Sequence, residues 1–272
     1  PDPGPLVEAG STWRYSDGGV DPGFGWTTNG FDDSAWSLGT ASFGWNDPVN
    51  TQLSSARPLV SYFRKTFQAD PATMAGVRLL IQRDDGAAVY INGIEVARSN
   101  LPAGELNNAT PASAYTWGAD EERWFEYFVP AELLVSGTNT VAVSVHQASA
   151  ANSDARFDLQ LLATGPIGLE TPPSSPSLNG VGGTGTAQLN WTESTDATLA
   201  GYLVVRDGSP VAITAGLSWT DLNLGPSESH TYVVKAFDGD GNVAPSNSVT
   251  IVTSPPDPGP LVEAGSTWRY SD

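Results

Sequence analysis

The sequence predicts an all-β chain, a jelly-roll β-sandwich followed by an immunoglobulin-like β-sandwich. Three observations carry that prediction. With 29 glycines and 21 prolines the chain is rich in turns, and only 15% of its residues are charged. Between the turns, short runs of Val, Ile, Thr, Tyr and Phe recur with period-two alternation, the mark of half-buried strands. Nine tryptophans and an aromatic content of 10% argue against disorder.

Taken in order, Leu6–Ala9 and Thr12–Tyr15 form a first extended stretch that ends at Asp17-Gly18-Gly19. An aromatic, glycine-rich stretch without a clean period follows from Gly23 to Trp45, where Asp32 or Asp33 can cap one helical turn through Ser34-Ala35-Trp36. Leu59–Phe67 is a strand by its β-branched and aromatic content, and Val77, Leu79 and Ile81 alternate with Arg78 and Gln82 in a half-buried strand that stops at Asp84-Asp85-Gly86. Asn92-Gly93 between two apolar runs predicts a type I′ hairpin, because both central residues of that turn need positive φ. Trp124–Val129 is a strand, and Pro130–Val135 is one helical turn closed by Gly137. In TVAVSV, Val141, Val143 and Val145 share a face opposite Ala142, Ser144 and His146, and Phe157, Leu159 and Leu161 alternate in the same way. About eight strands with long aromatic loops suit a jelly roll over residues 1–165. Residues 166–176 form a proline-rich linker expected to hold the domains at a spacing. Residues 177–254 carry shorter strands (Ala187–Trp191, Gly201–Arg206, Thr231–Ala236, Asn247–Val252) separated by Asp-Gly turns, the pattern of a seven-stranded sandwich.

Residues 255–272 hold the most informative feature of the chain. Pro256–Asp272 repeats Pro1–Asp17 letter for letter, at an offset of 255. Divergent duplication would not preserve every loop residue, so the chain is expected to be one period of a tandem array plus the start of the next. Leu6, Trp13 and Tyr15, with their copies Leu261, Trp268 and Tyr270, then mark the repeat junction, as an edge strand of successive jelly rolls. Neighbouring copies of the chain are the expected partners, joined covalently or, as the less favoured route, by strand donation.

Thirty acidic residues against 12 basic give a formal charge of −18, which repels nucleic acids and anionic membranes. Divalent cations, cationic surfaces or simple solubility outside the cell suit such a surface better. The chain has no cysteine, which excludes disulfides, thiolate metal sites and cysteine nucleophiles. No run approaches the roughly 18 apolar residues of a membrane helix.

The second domain resembles a bacterial fibronectin type III module, through Trp191, Thr195-Asp196…Gly201-Tyr202, Arg206-Asp207-Gly208 and KAFDGDGNVAPSNSVTI. That family's corner tyrosine corresponds to His230, so its hydrogen bond must be replaced or lost. The first domain resembles the galactose-binding-like jelly roll beside some glycoside hydrolase catalytic domains. The matching pieces are GFDDSAW (Gly30–Trp36), YFRKTF (Tyr62–Phe67), DDGAAVYINGIEV (Asp84–Val96) and LLVSGTNTVAVSVHQ (Leu133–Gln147). Both resemblances imply non-catalytic appendages of secreted or surface-attached bacterial proteins, hence an extracellular or cell-surface location.

The residues offer little for catalysis. The chain has two histidines, His146 and His230, and no nucleophile-elbow motif. Ser–His–Asp chemistry would draw on His146 with Asp154 or Asp158, and the expectation is that the chain is not an enzyme. For calcium, which takes six to eight oxygen ligands, the candidates are Asp84 with Asp85, Asn152 with Asp154, and Asp238, Asp240 and Asn242. A turn is the simpler role for each, and related carbohydrate-binding modules imply one Ca2+ in the jelly roll. For glycans, Trp26, Trp45 and Trp117 lie in loop-like sequence, with Asn92, Arg98 and Asn100 along the hairpin edge. The competing role for those tryptophans is to plug the core. The expected function is a repeating structural or adhesive unit of an extracellular fibre or giant surface protein; the alternative is a carbohydrate-binding accessory module of a secreted glycan-active enzyme.

Overall fold

The computed structural model describes residues 4–165 and 171–255, together with 266, 267 and 269. Among these, the first sandwich is built from β1 (Pro5–Val7), β2 (Thr12–Ser16), β3 (Ser37–Thr40), β4 (Phe43–Trp45), β5 (Thr51–Gln52), β6 (Val60–Ala69), β7 (Gly76–Asp84), β8 (Gly86–Ile91), β9 (Ile94–Ser99), β10 (Phe125–Pro130), β11 (Gly137–His146) and β12 (Ala155–Thr164). The second is built from β13 (Leu178–Gly183), β14 (Thr186–Trp191), β15 (Leu199–Arg206), β16 (Ser209–Thr214), β17 (Ser218–Asp221), β18 (Ser229–Asp238), β19 (Val243–Pro245) and β20 (Val249–Val252). The fold is therefore all-β, with two sandwiches in series.

In the jelly roll, the sheet β10-β7-β12-β4-β5, joined by β1 on β12, faces the sheet β3-β2-β6-β11-β8-β9. Alternation decides which side chains fill the space between them. Phe63, Val89, Val141, Val143, Leu159 and Phe157 all point inward and are fully buried. Aromatic rings dominate that core: Phe63 and Phe157 lie 4.3 Å apart, and Trp13 meets Phe157 edge-on at 5.4 Å. Asn92 and Gly93 have φ of 51° and 92°, as the type I′ turn between β8 and β9 requires.

The glycine-rich stretch before Trp45 holds more regular structure than its sequence suggests. It contributes β3 and β4, and no helical turn forms at Ser34–Trp36. Instead Asp32 accepts the Ser34 N–H at 3.0 Å and the Trp36 N–H bonds the Asp33 carbonyl at 2.9 Å, a simple turn. At Pro130–Val135 the structure has a single 3-10 turn, Ala131–Leu133.

The first copy of the repeated segment supplies one strand to each sheet: β1 pairs with β12, and β2 lies between β3 and β6. The expectation of an edge strand is thus corrected for β2, which is internal. Trp13 is 1% exposed, Leu6 packs against the core, and Tyr15 lies tilted against Phe43 at 5.2 Å and stacked with Phe63 at 6.4 Å. Leu261, Trp268 and Tyr270 lie outside the described residues.

The second sandwich faces β13-β14-β17 with β16-β15-β18-β19, and β20 adds to β18. Its core holds Trp191, Tyr202, Val204, Tyr232 and Val234. At the corner position, His230 makes hydrogen bonds to two carboxylates in place of the tyrosine bond: Nδ1 lies 2.7 Å from Asp207 and Nε2 lies 3.3 Å from Glu228. The Asp207 hydrogen bond raises the His230 pKa.

The two sandwiches are not held apart by their linker. Leu203, Val205 and Phe237, on the outer face of β15 and β18, belong to the same apolar cluster as the jelly-roll core. Phe128 meets Phe237 at 6.1 Å, and Lys235 bonds Glu132 at 2.6 Å. Gly241 lies so close to Ala75 that a Cβ there would come within 2.3 Å of the Ala75 Cβ.

Candidate functional site

The face of β6, β8 and β11 turned away from the core carries Tyr62, Arg64, Tyr90, Ser144 and His146. Register sets them in rows: Tyr62 beside Ser144, and Arg64, Ala142 and Tyr90 in line. The loop between β2 and β3 folds over this face. Arg64, only 2% exposed, holds it there. Its Nε bonds Asp33 at 2.8 Å, one terminal nitrogen bonds the Thr28 carbonyl at 3.1 Å, and the other bonds the Trp26 carbonyl. A buried guanidinium is tolerable only when so paired, so the arginine and the loop depend on each other.

Between loop and sheet lies a cleft of about 420 Å³. Trp26 stands edge-on to Tyr62 and Tyr90, with centroids at 5.1 and 5.5 Å. Phe24 is fully exposed beside it, and Asp21 and Asn107 add a carboxylate and an amide to the lining. Burial raises the pKa of both Tyr62 and Tyr90, so their hydroxyls stay protonated and able to donate. Size, aromatic walls and a few convergent polar groups are the usual attributes of a small-ligand site.

Deeper in the cleft, His146 Nδ1 lies 2.8 Å from the Thr110 carbonyl, so that nitrogen carries the proton. Nε2 then accepts from the Ser144 hydroxyl at 2.9 Å. Burial lowers the His146 pKa and keeps the ring neutral. This serine–histidine pair has a backbone carbonyl where a catalytic triad has a carboxylate. Asp158 is committed elsewhere, to the N–H groups of Gly10 and Leu159, and Asp154 accepts from Ser153. Ser144 and His146 thus give the cleft a fixed polar lining.

Of the residues singled out for sugars, Trp26 lines this cleft. Trp45 is 4% exposed and belongs to the core cluster, so it offers no platform; its loop-like sequence concealed a place in β4. Asn92 ties the hairpin to Leu133, Asn139 and Thr140. Arg98 pairs with Glu95 at 2.6 Å and lines a groove of about 430 Å³ between the two sandwiches. Asn100 and Trp117 line a smaller cleft of about 270 Å³ at the end of the jelly roll. Sequence reasoning missed Tyr62, Tyr90 and Ser144. The signal was present, since Tyr62, Ser144 and His146 break apolar runs at outward positions of long central strands.

The oxygens considered for calcium are largely met by protein donors. Asp85 accepts from the Thr116 and Ala148 N–H groups and the Asn152 amide, at 2.6, 2.8 and 2.8 Å. Asp238 accepts from the backbone N–H groups of Asp240 and Asn242 and from the Asn242 amide, which closes a turn. Asp84 has one buried oxygen without a partner; burial, then the neighbouring Asp85, pushes its pKa up to about 8. No group of three or more His, Cys, Asp or Glu side chains suited to a metal occurs among the described residues.

No protein-family model matches the chain. It is similar to Endoglucanase B of Cellulomonas fimi, 31% identical over 222 residues, which cover 76% of this chain and 18% of that protein. Exoglucanase B of the same species is 29% identical over 84% of this chain and 24% of its own length. Chitinase 63 of Streptomyces plicatus is 34% identical over 102 residues. The chain therefore spans about a fifth to a quarter of the length of these glucanases. Among solved structures, a glycosyl hydrolase family 2 member from Bacteroides cellulosilyticus aligns with 91% of this chain and 36% of its own, at 13% identity and a TM-score of 0.40. A fibronectin type III domain of human fibronectin type III domain containing protein 3 aligns over its full length with 36% of this chain, at 26% identity and a TM-score of 0.29.

Proposed function

We propose that the chain is a non-catalytic accessory unit of an extracellular bacterial protein, and that the cleft under the Arg64-held loop binds a neutral sugar. One observation carries this reading: Trp26, Tyr62, Tyr90, Ser144 and His146 converge in a cleft of hexose size. Aromatic walls suit the apolar faces of a pyranose, and the tyrosine hydroxyls with the Asp21 carboxylate and Asn107 amide suit its alcohols. Partial similarity to glucanases and a chitinase supports a role beside a glycan-active domain. The test is calorimetric titration with a panel of cello-, malto- and chito-oligosaccharides. Saturable binding of one series, weakened about ten-fold or more in Trp26→Ala, is expected; an affinity step of that size corresponds to roughly 1.4 kcal/mol. Failure to bind any of the three series overturns the proposal.

A second reading, a repeating unit of a fibre or surface array, rests on the repeated segment. Its first copy supplies β1 and β2, with Trp13 buried between the sheets. An identical segment can supply the same strands to a following jelly roll, in one chain or between chains. Light scattering on the chain with and without residues 256–272 tests the inter-chain form. Unchanged assembly removes strand donation and leaves only the covalent array.

A further inference from the structure

Asp85 is completely buried, and it clamps a loop that carries two exposed rings. The Thr116 N–H reaches its carboxylate at 2.6 Å, and the Thr116 hydroxyl reaches its carbonyl at 3.0 Å. The same carbonyl accepts from Asn100 at 3.0 Å and from Arg83 Nη1 at 2.7 Å. Thr116 is thus fixed at two points, and its neighbours on either side are Tyr115 and Trp117. Those rings are 44% and 73% exposed, with centroids 5.5 Å apart. The chain beyond them is fixed as well, because Glu121 accepts the Gly118 N–H at 3.0 Å. Tyr115 is tethered through its hydroxyl to Ser149 at 2.9 Å.

A large apolar ring left in water by mobile sequence needs no explanation; one held there by a buried polar network does. The second observation is Arg83, which is 7% exposed and lines the cleft beside these rings. Its Nε bonds Ser99 at 2.9 Å, and Nη1 bonds Asp85 and Thr116 at 2.7 and 2.8 Å. Nη2 bonds no acceptor among the described residues. Asp120 also lines this cleft and supplies a carboxylate.

We propose that this cleft is a second sugar site, separate from the one under the Arg64-held loop. One neutral pyranose lies flat on Trp117 and presents adjacent hydroxyls to Arg83 Nη2, which donates, and to Asp120, which accepts. A neutral ring is favoured over a uronate because Asp120 adds negative charge beside Arg83, in a chain of net charge −18. The proposal rests on the reading that the chain binds glycans but uses none of the residues of the other cleft.

The same oligosaccharide panel tests it, on four forms of the full chain: unaltered, Trp26→Ala, Trp117→Ala and the double variant. Two binding sites per chain are expected. Trp117→Ala removes one and lowers retention on the matching insoluble polysaccharide by about ten-fold through lost avidity. Trp117 is exposed, so circular dichroism and thermal melting should be unchanged. One site per chain, lost in Trp26→Ala and unaffected by Trp117→Ala, overturns this inference alone. Absence of all binding overturns the proposed function together with it. Tighter binding of an oligogalacturonide than of every neutral oligosaccharide overturns the neutral-sugar assignment.

Discussion

Two outward sheet faces in this molecule obey the same alternation and meet opposite fates. The outer face of β6, β8 and β11 carries Tyr62, Arg64, Tyr90, Ser144 and His146; a polar loop covers it and a cleft remains. The outer face of β15 and β18 carries Leu203, Val205 and Phe237, and the jelly roll closes directly onto it. Pleat alone puts residues on a face. Their chemistry decides whether that face becomes a site or a seam, because hydroxyls and imidazole need partners while aliphatic and phenyl groups need only to leave water.

The largest effect expected is at the seam. Phe237→Asp removes a buried ring and places a charge against Phe128; it should cost about 3–5 kcal/mol or more. A lower urea midpoint and a larger radius in small-angle scattering would register separated sandwiches. An unchanged scattering profile would show that the seam does not hold them.

Arg64→Met comes next and tests the cleft side of the comparison. It leaves Asp33 and the Thr28 and Trp26 carbonyls without their donor, a loss of about 2–3 kcal/mol. Loop amides from Asp21 to Asp33 should then exchange with deuterium faster, and sugar binding should disappear while the seam stays intact. Retained binding would show that the loop is fixed by something other than Arg64.

Smaller effects come from titration. The Asp84 carboxyl, pushed up to about 8 by burial, binds its proton more tightly folded than unfolded. Its contribution to stability is complete below the unfolded value near 4 and is lost as pH rises through 8. Asp84→Asn should flatten that decline in melting temperature between pH 4 and 8; an equally steep decline in the variant would assign it to other groups. His230 should give the smallest change. Its pKa is raised by Asp207, so its contribution is present below the unfolded value near 6.5 and is lost as pH rises past the folded value. Being at the surface, it should weaken in salt.

Much of the fold was legible because strands announce themselves by alternation and turns by Asn-Gly and Asp-Gly. TVAVSVH placed Ser144 and His146 on one side of β11, and Asn92-Gly93 fixed the hairpin. The seam was less visible. GYLVVR reads as an ordinary strand, although Leu203 and Val205, alternating with Tyr202 and Val204, make it apolar on both faces, which one sandwich alone does not require. Trp45 misled because a glycine-rich neighbourhood resembles a loop. The cleft could not be assembled from sequence, since Arg64 reaches partners more than 30 residues away. Only the register of β6 against its neighbours brings those groups together.

The jelly roll also begins and ends at neighbouring points. The Ala163 N–H bonds the Gly4 carbonyl at 3.3 Å, and Pro5 lies opposite Leu162 in antiparallel β1 and β12. A pull along the chain, applied where the segment enters and where β12 leaves, therefore loads these bonds one after another, as a zipper is opened. Strands pulled along their length would share the load across many bonds at once. The jelly roll should accordingly yield at low force from this corner, releasing β1 first and then β2 with Trp13.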